Sequence, residues 1–292
     1  MPELLRFIVE EKYNDTNAGR YLRTVCRLSA RTLALLKRTT GSILCNGKLL
    51  RTIDKIYAGD IIEITLPSEK NEITPVAGEL DVIYEDEFLI VVNKPFGMPV
   101  HPVKVHQEDT LANIIAYKYM SSEFVFRASN RLDRDTSGAV IIAKDRHTAS
   151  LLQKTEIEKH YTAVCHGIPD ECGTLDAPIA LREDSKIVRT VCEDGQKAVT
   201  HYKVIKKLND GAVLDLWLET GRTHQIRCHM SYIGHPLFGD DLYNGSKELI
   251  SRQALHCRSV SFVHPVSGEY LSLTTELPFD ITRLINMLAG GD

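Results

Sequence analysis

The spacing of apolar positions changes twice along this chain, and each change marks a different kind of structure. Residues 15–38 read as two short helices. Tyr21, Leu22 and Val25 share a face of the first, which Asp15 or Thr16 can cap, and Ser29 can cap the second, which carries Leu33, Leu35 and Leu36. The period then shortens toward two. Ser42–Cys45 runs into Asn46-Gly47, a strong hairpin signal, and out through Lys48–Leu50. After the Gly59-Asp60 turn, Ile62, Ile64 and Leu66 alternate with polar residues. Two helices and a small sheet make an α+β unit over 1–66, too small to bury much core alone. The polar run Ser68–Glu72, flanked by Pro67 and Pro75, reads as a linker, 67–79.

From Leu80 the pattern becomes strand-rich. Leu80–Tyr84 and Phe88–Asn93 flank a turn, and a Pro- and Gly-punctuated loop follows at 94–99. A helix is expected after Asp109-Thr110, a strand over 139–143, a helix over 146–154 and a strand over 159–165. Segments 200–207 and 212–219 form a hairpin about Asn209-Asp210-Gly211, and Thr223–Ile233 is helix-like. A last hairpin turns near Ser267-Gly268, and Pro278 precedes a final helix. Strands dominate without alternating regularly with helices, which predicts an α+β catalytic-sized unit over 80–292 with a mostly antiparallel sheet.

Charge alters the reading of the first unit. The chain is acidic overall, at −4, yet residues 1–68 carry eleven Lys and Arg against seven Asp and Glu. Arg20, Arg23, Arg27, Arg31, Lys37, Arg38, Lys48, Arg51 and Lys55 face only Asp54 within 20–55. Such a segment is a candidate polyanion-binding patch, and a solvated helix face is the plain alternative. No apolar run approaches the roughly 18 residues of a membrane helix. The N-terminus lacks a secretory pattern, and seven scattered cysteines without a Cys-x-x-Cys pair indicate neither a disulfide framework nor a zinc ribbon. A cytoplasmic protein with reduced thiols is expected.

The densest polar cluster is Asn130–Gly138, with four charged residues ahead of an apolar strand. A surface turn with compensating ion pairs would explain it blandly. Asp135-Thr136-Ser137-Gly138 also matches the tetrapeptide of aspartic proteases, but that chemistry needs two carboxylates sharing a proton and the element occurs once. Lys159 and Tyr161 share one face of a strand, and Gly221–His229 opens a helix with guanidinium, imidazole and amide groups. His224 and Cys228 could be half of a metal site, but no second pair has suitable spacing, so no metal is expected.

Taken in order, these pieces resemble the RluA-type pseudouridine synthases over nearly the whole chain. The resemblance rests on Asn93-Lys94-Pro95 through Val100-His101-Pro102, and on Arg131-Leu132-Asp133 with Asp135-Thr136-Ser137-Gly138. Lys159-x-Tyr161-x-Ala163 and Gly221-Arg222-x-His224-Gln225-Ile226-Arg227-x-His229 add to it, as do Gly234-His235-Pro236-Leu237-x-Gly239-Asp240 and Ala254-Leu255-His256. Residues 1–66 resemble, on fewer positions, the alpha-L RNA-binding domain. Asn130 departs from the family, which usually has His there, and the departure bears on local hydrogen bonding.

The resemblance implies conversion of uridine to pseudouridine in structured RNA, without a cofactor. It implies Asp133, Tyr161 and Arg227 as catalytic residues: a carboxylate acting on the sugar, a flat phenol against the uracil, and a guanidinium pairing with the carboxylate. Arg131 would fill the gap left by a flipped base, Ile226 would pack on the nucleoside, and Lys159 and His224 would contact substrate or orient neighbours. Asp135 is read as structural. Arg20, Arg23, Arg27, Arg31, Lys37, Arg38 and Lys48 would bind RNA. Ribosomal RNA of the large subunit is the favoured partner and transfer RNA the second. A monomer with no membrane partner is expected, and an inactive RNA-binding ribosome-assembly factor is the alternative from a different class.

Overall fold

The computed structural model describes residues 3–66, 73–122 and 124–290, without the side chains of Glu3 and Arg31. Positions 67–72 of the expected linker, and the Arg31 side chain, therefore lie outside the described residues. The N-terminal unit contains a four-stranded sheet. Its Glu3–Ile8 strand, which the apolar pattern did not reveal, pairs antiparallel with Ile61–Leu66. Ile43–Cys45 pairs on the other side of Ile61–Leu66 and turns at Asn46-Gly47 into Lys48–Leu49. The two helices are Ala18–Thr24 and Ala30–Leu36. Ser29 caps the second by accepting from Thr32 N–H at 3.0 Å. The first is capped by Asn17 rather than by Asp15 or Thr16, accepting from Arg20 N–H at 3.3 Å. Thr16 and Asn17 pair with Ile56 and Lys55, so that pairing draws the chain out before the helix can start. Tyr21, Leu22, Leu36, Ile56, Ile62 and Ile64 form this unit's own buried core.

The rest is α+β and mostly antiparallel. Ten strands form one sheet, whose main path runs Cys172–Asp176, Val199–Lys207, Gly211–Leu218, Ile157–His166, Leu255–Val263, Ser137–Ala143, Leu89–Lys94 and Val82–Glu85. Tyr270–Thr274 adds to Leu255–Val263, and Arg127–Ala128 to Ser137–Ala143. Within this sheet a single contact is parallel, and it is short: Ser137 opposite His256 and Gly138 opposite Cys257. Ser137–Ala143 is buried along its entire length, as its unbroken apolar run demands once helices cover the sheet. The helix Leu111–Lys118, closed by a capping box between Thr110 and Asn113, packs its apolar side on this half. Phe279–Leu288 covers the other end through Ile281, Leu284 and Leu288, against Val164 and Val213.

The parallel joint binds the two halves of the sheet where the polar loop 130–136 ends. Gly138 has φ +119°, and a Cβ there would collide with the Cys257 carbonyl, so glycine is required for the strands to approach. His256 bridges the joint, with Nδ1 2.9 Å from Ser137 Oγ and Nε2 2.7 Å from Thr275 Oγ1. Burial, with the nearby charges of Arg252 and Arg258, pushes this imidazole down to about 4.

Two outcomes follow for the joint. Gly138→Ala should lower unfolding free energy by about 2–4 kcal/mol in chemical denaturation, from the collision and the positive φ together. Because His256 binds its proton less readily folded than unfolded, its contribution is complete above its ordinary value of 6.5 and is lost as pH falls through about 4. Wild-type stability should therefore decline over that window by on the order of 3 kcal/mol more than that of His256→Asn. Parallel stability-against-pH curves would remove His256 from this role.

Candidate active site

Asp133 stands on the loop ahead of Ser137–Ala143, and buried polar groups fix that loop from below. Asn130 Nδ2 donates to Ala139 O at 3.0 Å while its Oδ1 accepts from Ile141 N–H at 2.9 Å. An amide thus meets the local hydrogen-bond demand at the position where the family usually has an imidazole. Lys94, fully buried, donates its Nζ to the carbonyls of Pro95, Met98 and Arg134 at 2.8, 2.7 and 3.1 Å. Burial pushes its ammonium down to about 7. Arg252 holds Asp280 with Nε at 2.6 Å and Nη2 at 2.9 Å, and gives Nη1 to the Asp135 carbonyl at 3.0 Å. The Asp135 carboxylate pairs with the Arg134 guanidinium at 2.9 Å, which leaves Asp133 as the loop's acid in the cleft.

The opposite wall is the helix Gln225–Tyr232. Gln225 anchors its start, accepting from Arg222 N–H at 2.9 Å and donating to Val199 O at 2.9 Å. Arg227, two residues on, is buried and forms a fork. Nε and Nη2 each donate to Asp240 at 2.7 Å, and Nη1 donates to Asp133 Oδ2 at 3.0 Å. The Asp240 side chain is fully buried, whereas that of Asp133 keeps 25 % exposure toward the cleft. Burial works against the guanidinium's charge, but Asp240 and then Asp133 outweigh it, and the pKa of Arg227 is raised. Its plane also lies 5.1 Å from the Tyr243 ring centre. The pairing of Arg227 with Asp240 was not anticipated from the sequence, although Asp240 belongs to one of the motifs.

Tyr161 lines the same cleft from the Ile157–His166 strand. Burial, reinforced by the Cys257 thiol against its phenol, holds its pKa well above the ordinary value, so the hydroxyl keeps its proton. His224 adopts the left-handed conformation, φ 57°, with Nδ1 3.1 Å from Tyr243 Oη and Nε2 3.8 Å from Asp133 Oδ2. Burial lowers its pKa despite Asp133. Arg131 and Ile226 complete the lining with Leu132, Leu218 and Leu255. The cleft opens to solvent along the side formed by Arg131 and Arg222, both exposed.

Lys159 is not brought into this lining. Its Nζ donates to Ile157 O at 3.1 Å, and burial lowers its pKa. Among the described residues no cluster of His, Cys, Asp or Glu could hold a metal ion. Of the N-terminal basic residues, Arg20, Arg23 and Lys37 line a shared cleft of about 520 Å³ with Gly19, Thr24, Leu33 and Thr52. Arg27, Arg38 and Lys48 are exposed elsewhere, and the Arg27 carbonyl accepts from Lys154 Nζ at 3.2 Å. A larger cleft of about 660 Å³, beside His166, Asp210 and Glu248, brings two carboxylates together and no Lys or Arg.

A family model described as RNA pseudouridylate synthase matches residues 88–232. The chain is 40% identical over 267 residues to "Uncharacterized RNA pseudouridine synthase YjbO" of Bacillus subtilis, covering 88% of this chain and 94% of that protein. It is 36% identical over 259 residues to "Ribosomal large subunit pseudouridine synthase D" of Haemophilus ducreyi, covering 82% and 80%. Among solved structures, "Human RNA Pseudouridylate Synthase Domain Containing 1" superposes with a TM-score of 0.58 at 25% identity, covering 69% of this chain and 84% of that one.

The fork makes a distinctive forecast for Asp240. Asp240→Asn keeps the shape but leaves Arg227 buried with half its charge compensation gone, and breaking a buried pair costs about 3–5 kcal/mol. Denaturation should register that loss, and turnover should drop as Arg227 swings from Asp133. A variant with wild-type stability and rate would show that Asp133 alone holds the guanidinium.

Proposed function

We infer that this chain, which belongs to the RNA pseudouridylate synthase family and is an RNA pseudouridine synthase, isomerises uridines of large-subunit ribosomal RNA with Asp133 as its catalytic carboxylate. The observation that carries the reading is the Arg227 guanidinium shared between a buried Asp240 and a partly exposed Asp133. The relatives named as large-subunit enzymes support the choice of RNA. The basic face at Arg20, Arg23 and Lys37, in a unit resembling the alpha-L RNA-binding domain, supports a structured RNA target.

The reaction breaks the bond from ribose C1′ to uracil N1 and makes one from C1′ to C5. N1 gains a proton and C5 loses one, so nothing is consumed. The reacting atoms are inaccessible in a stacked helix, so the nucleotide must leave the stack. Arg131, exposed at the cleft mouth, takes the vacated position in the helix. Asp133 acts on the sugar as an ionised carboxylate beside developing positive charge, as in glycoside chemistry. Arg227 holds it in place, and Asp240 keeps Arg227 from neutralising it fully. Tyr161 presents its ring to the base, with Ile226 packing against the nucleoside.

Tritium release from large-subunit ribosomal RNA transcripts carrying 5-tritiated uridine tests the activity and the substrate together. Release from transfer RNA transcripts instead would move the substrate, and release from neither would favour the inactive assembly factor. Asp133→Asn should bind RNA within a few fold of wild type, since phosphate contacts supply most affinity, yet release no tritium. Measurable turnover by that variant would take Asp133 out of its role.

Arg227→Met should cut the single-turnover rate by orders of magnitude with little change in RNA affinity, and shift the acidic limb of the rate profile to higher pH. Arg227→Lys should recover part of the loss, because an ammonium keeps the charge and forfeits the fork. A fall in affinity and salt slope with the rate profile unmoved would mean that Arg227 grips phosphate. For the N-terminal unit, replacing Arg20, Arg23 and Lys37 together with Gln should reduce the slope of log affinity against log salt by about 2–3. An unchanged slope would make that face a solvated one.

A further inference from the structure

A second cavity adjoins the catalytic cleft, and it contains two arginines that the catalytic reading leaves without work. It measures about 340 Å³ and is lined by Arg189, Arg222, Thr223, Gln196 and Asp194 against the backbone of Ile179–Leu181. Arg222 lines the catalytic cleft as well, so the two spaces share a wall. The floor is a short hairpin, Ile179–Leu181 with Arg189–Val191, whose Ile179, Val188 and Val191 pack on Cys228 and Tyr243. That packing seats the hairpin on the helix carrying Arg227. Arg189 N–H donates to Tyr243 Oη at 2.8 Å, so the backbone at 189 is tied to the residue that faces both His224 and Arg227.

The two side chains are under-used. Arg189 Nε is buried with no hydrogen-bond partner, and neither guanidinium is ion-paired among the described residues. Arg222 spends only its Nε, on the Lys197 carbonyl at 3.0 Å, which aims the chain and leaves both terminal nitrogens free of protein partners. Asp194 shares the lining but is exposed and pairs with neither. A buried guanidinium nitrogen without an acceptor costs free energy unless a ligand supplies one. The planar forks of two arginines fit a phosphate group, whose oxygens accept several charge-assisted hydrogen bonds at once.

We propose that Arg189 and Arg222 form a phosphate subsite that grips the RNA backbone beside the flipped uridine. This rests on RNA being the substrate of the Asp133 cleft. The strand entering that cleft must carry a phosphate on each side of the target nucleotide, and the shared Arg222 wall is where one of them passes. The subsite gives the hairpin 179–191 a purpose: it holds a cation at a fixed distance from Asp133 without placing it inside the catalytic cleft.

The test uses the full-length protein and in-vitro transcribed large-subunit ribosomal RNA, with dissociation constants measured across a salt series. Arg189→Met should weaken binding about tenfold and flatten the salt slope by about one, while Arg189→Lys restores the slope and only part of the affinity. The Tyr243 bond is made by the backbone of residue 189 and Met removes an unpartnered buried nitrogen, so the melting temperature of the free protein should stay at or above the wild-type value. Arg222→Met, altering an exposed side chain, is the second probe and should show the same loss of slope. Unchanged affinity and slope in both Met variants would overturn the subsite. Tritium release by the wild-type protein reports separately on the activity: if it fails while the slopes still fall, the phosphate subsite stands and the catalytic reading does not.

Discussion

The site depends on one buried arginine having more carboxylate than it needs. Arg227 lies between the fully buried Asp240 and the partly exposed Asp133, and three charges in line carry a net negative one. Removing them from water costs several kcal/mol per ion, which two bidentate bonds at 2.7 Å and a third at 3.0 Å offset. The stronger pairing falls on Asp240, so the cation is held by the acid that has no access to the cleft. Asp133 is aimed by Nη1 yet keeps its charge facing the cleft. A carboxylate saturated by its own arginine would stabilise a developing positive charge poorly, and an unpaired one would have no fixed aim. The geometry of the backbone serves the same end: Gly239, at φ +76°, lets the chain pass under the Arg252 carbonyl where a Cβ could not fit, and so sets Asp240 beneath the helix.

The second requirement is that the loop carrying Asp133 keep its shape. The parallel joint of two residue pairs is a weak seam in an otherwise antiparallel sheet, and the loop opens directly onto it. Its stiffness comes from buried nitrogen-bearing side chains that grip it and the seam behind it. Lys94 holds three carbonyls, Arg252 holds those of Asp135 and Leu255, and His256 closes the seam through Ser137. Lys94 is satisfied by main-chain carbonyls alone, Arg252 by the Asp280 carboxylate as well, and His256 by the hydroxyls of Ser137 and Thr275. Loss of Lys94 or Arg252 therefore releases several carbonyls together.

How much of this could be read from the sequence divides along physical lines. Strands with period-two alternation and helices with a cap ahead of an apolar face were legible, as at Ser29 and Thr110. So was the co-occurrence of Asp133, Tyr161, Ile226 and Arg227, because the resemblance of their motifs to a known family implied it. Glu3–Ile8 was not, since an edge strand of mixed polarity has no periodic signature until its partner at 61–66 is known. Asn17 took the cap from Asp15 and Thr16 because a two-residue pairing with 55–56 sets where the chain enters the helix. Asp240 was visible as part of a motif, but its task was hidden, for nothing local tells which of several acids will lie beside a given arginine. Lys159 shares a face with Tyr161 by strand period, yet the irregular register between His160 and Tyr161 shifts the pairing there, and its ammonium stays on its own strand.

Burial and bonding divide the lining of the cleft into a part that is rigid and a part that can yield. The deep side of Arg227, Asp240 and Tyr161 is too tightly bonded and buried to move cheaply. Arg131 and Arg222 are the exposed members of the lining. Arg131 has no hydrogen-bonding partner of its own among the described residues, so displacing it sacrifices solvation that an RNA strand can replace. Adjustment of the lining is therefore cheapest on the solvent side, where the arginines can exchange water for other polar partners as they turn. The order of contact follows from that asymmetry. Anything entering the cleft from solvent meets the outer arginines first, and behind them a carboxylate whose position Arg227 has already set.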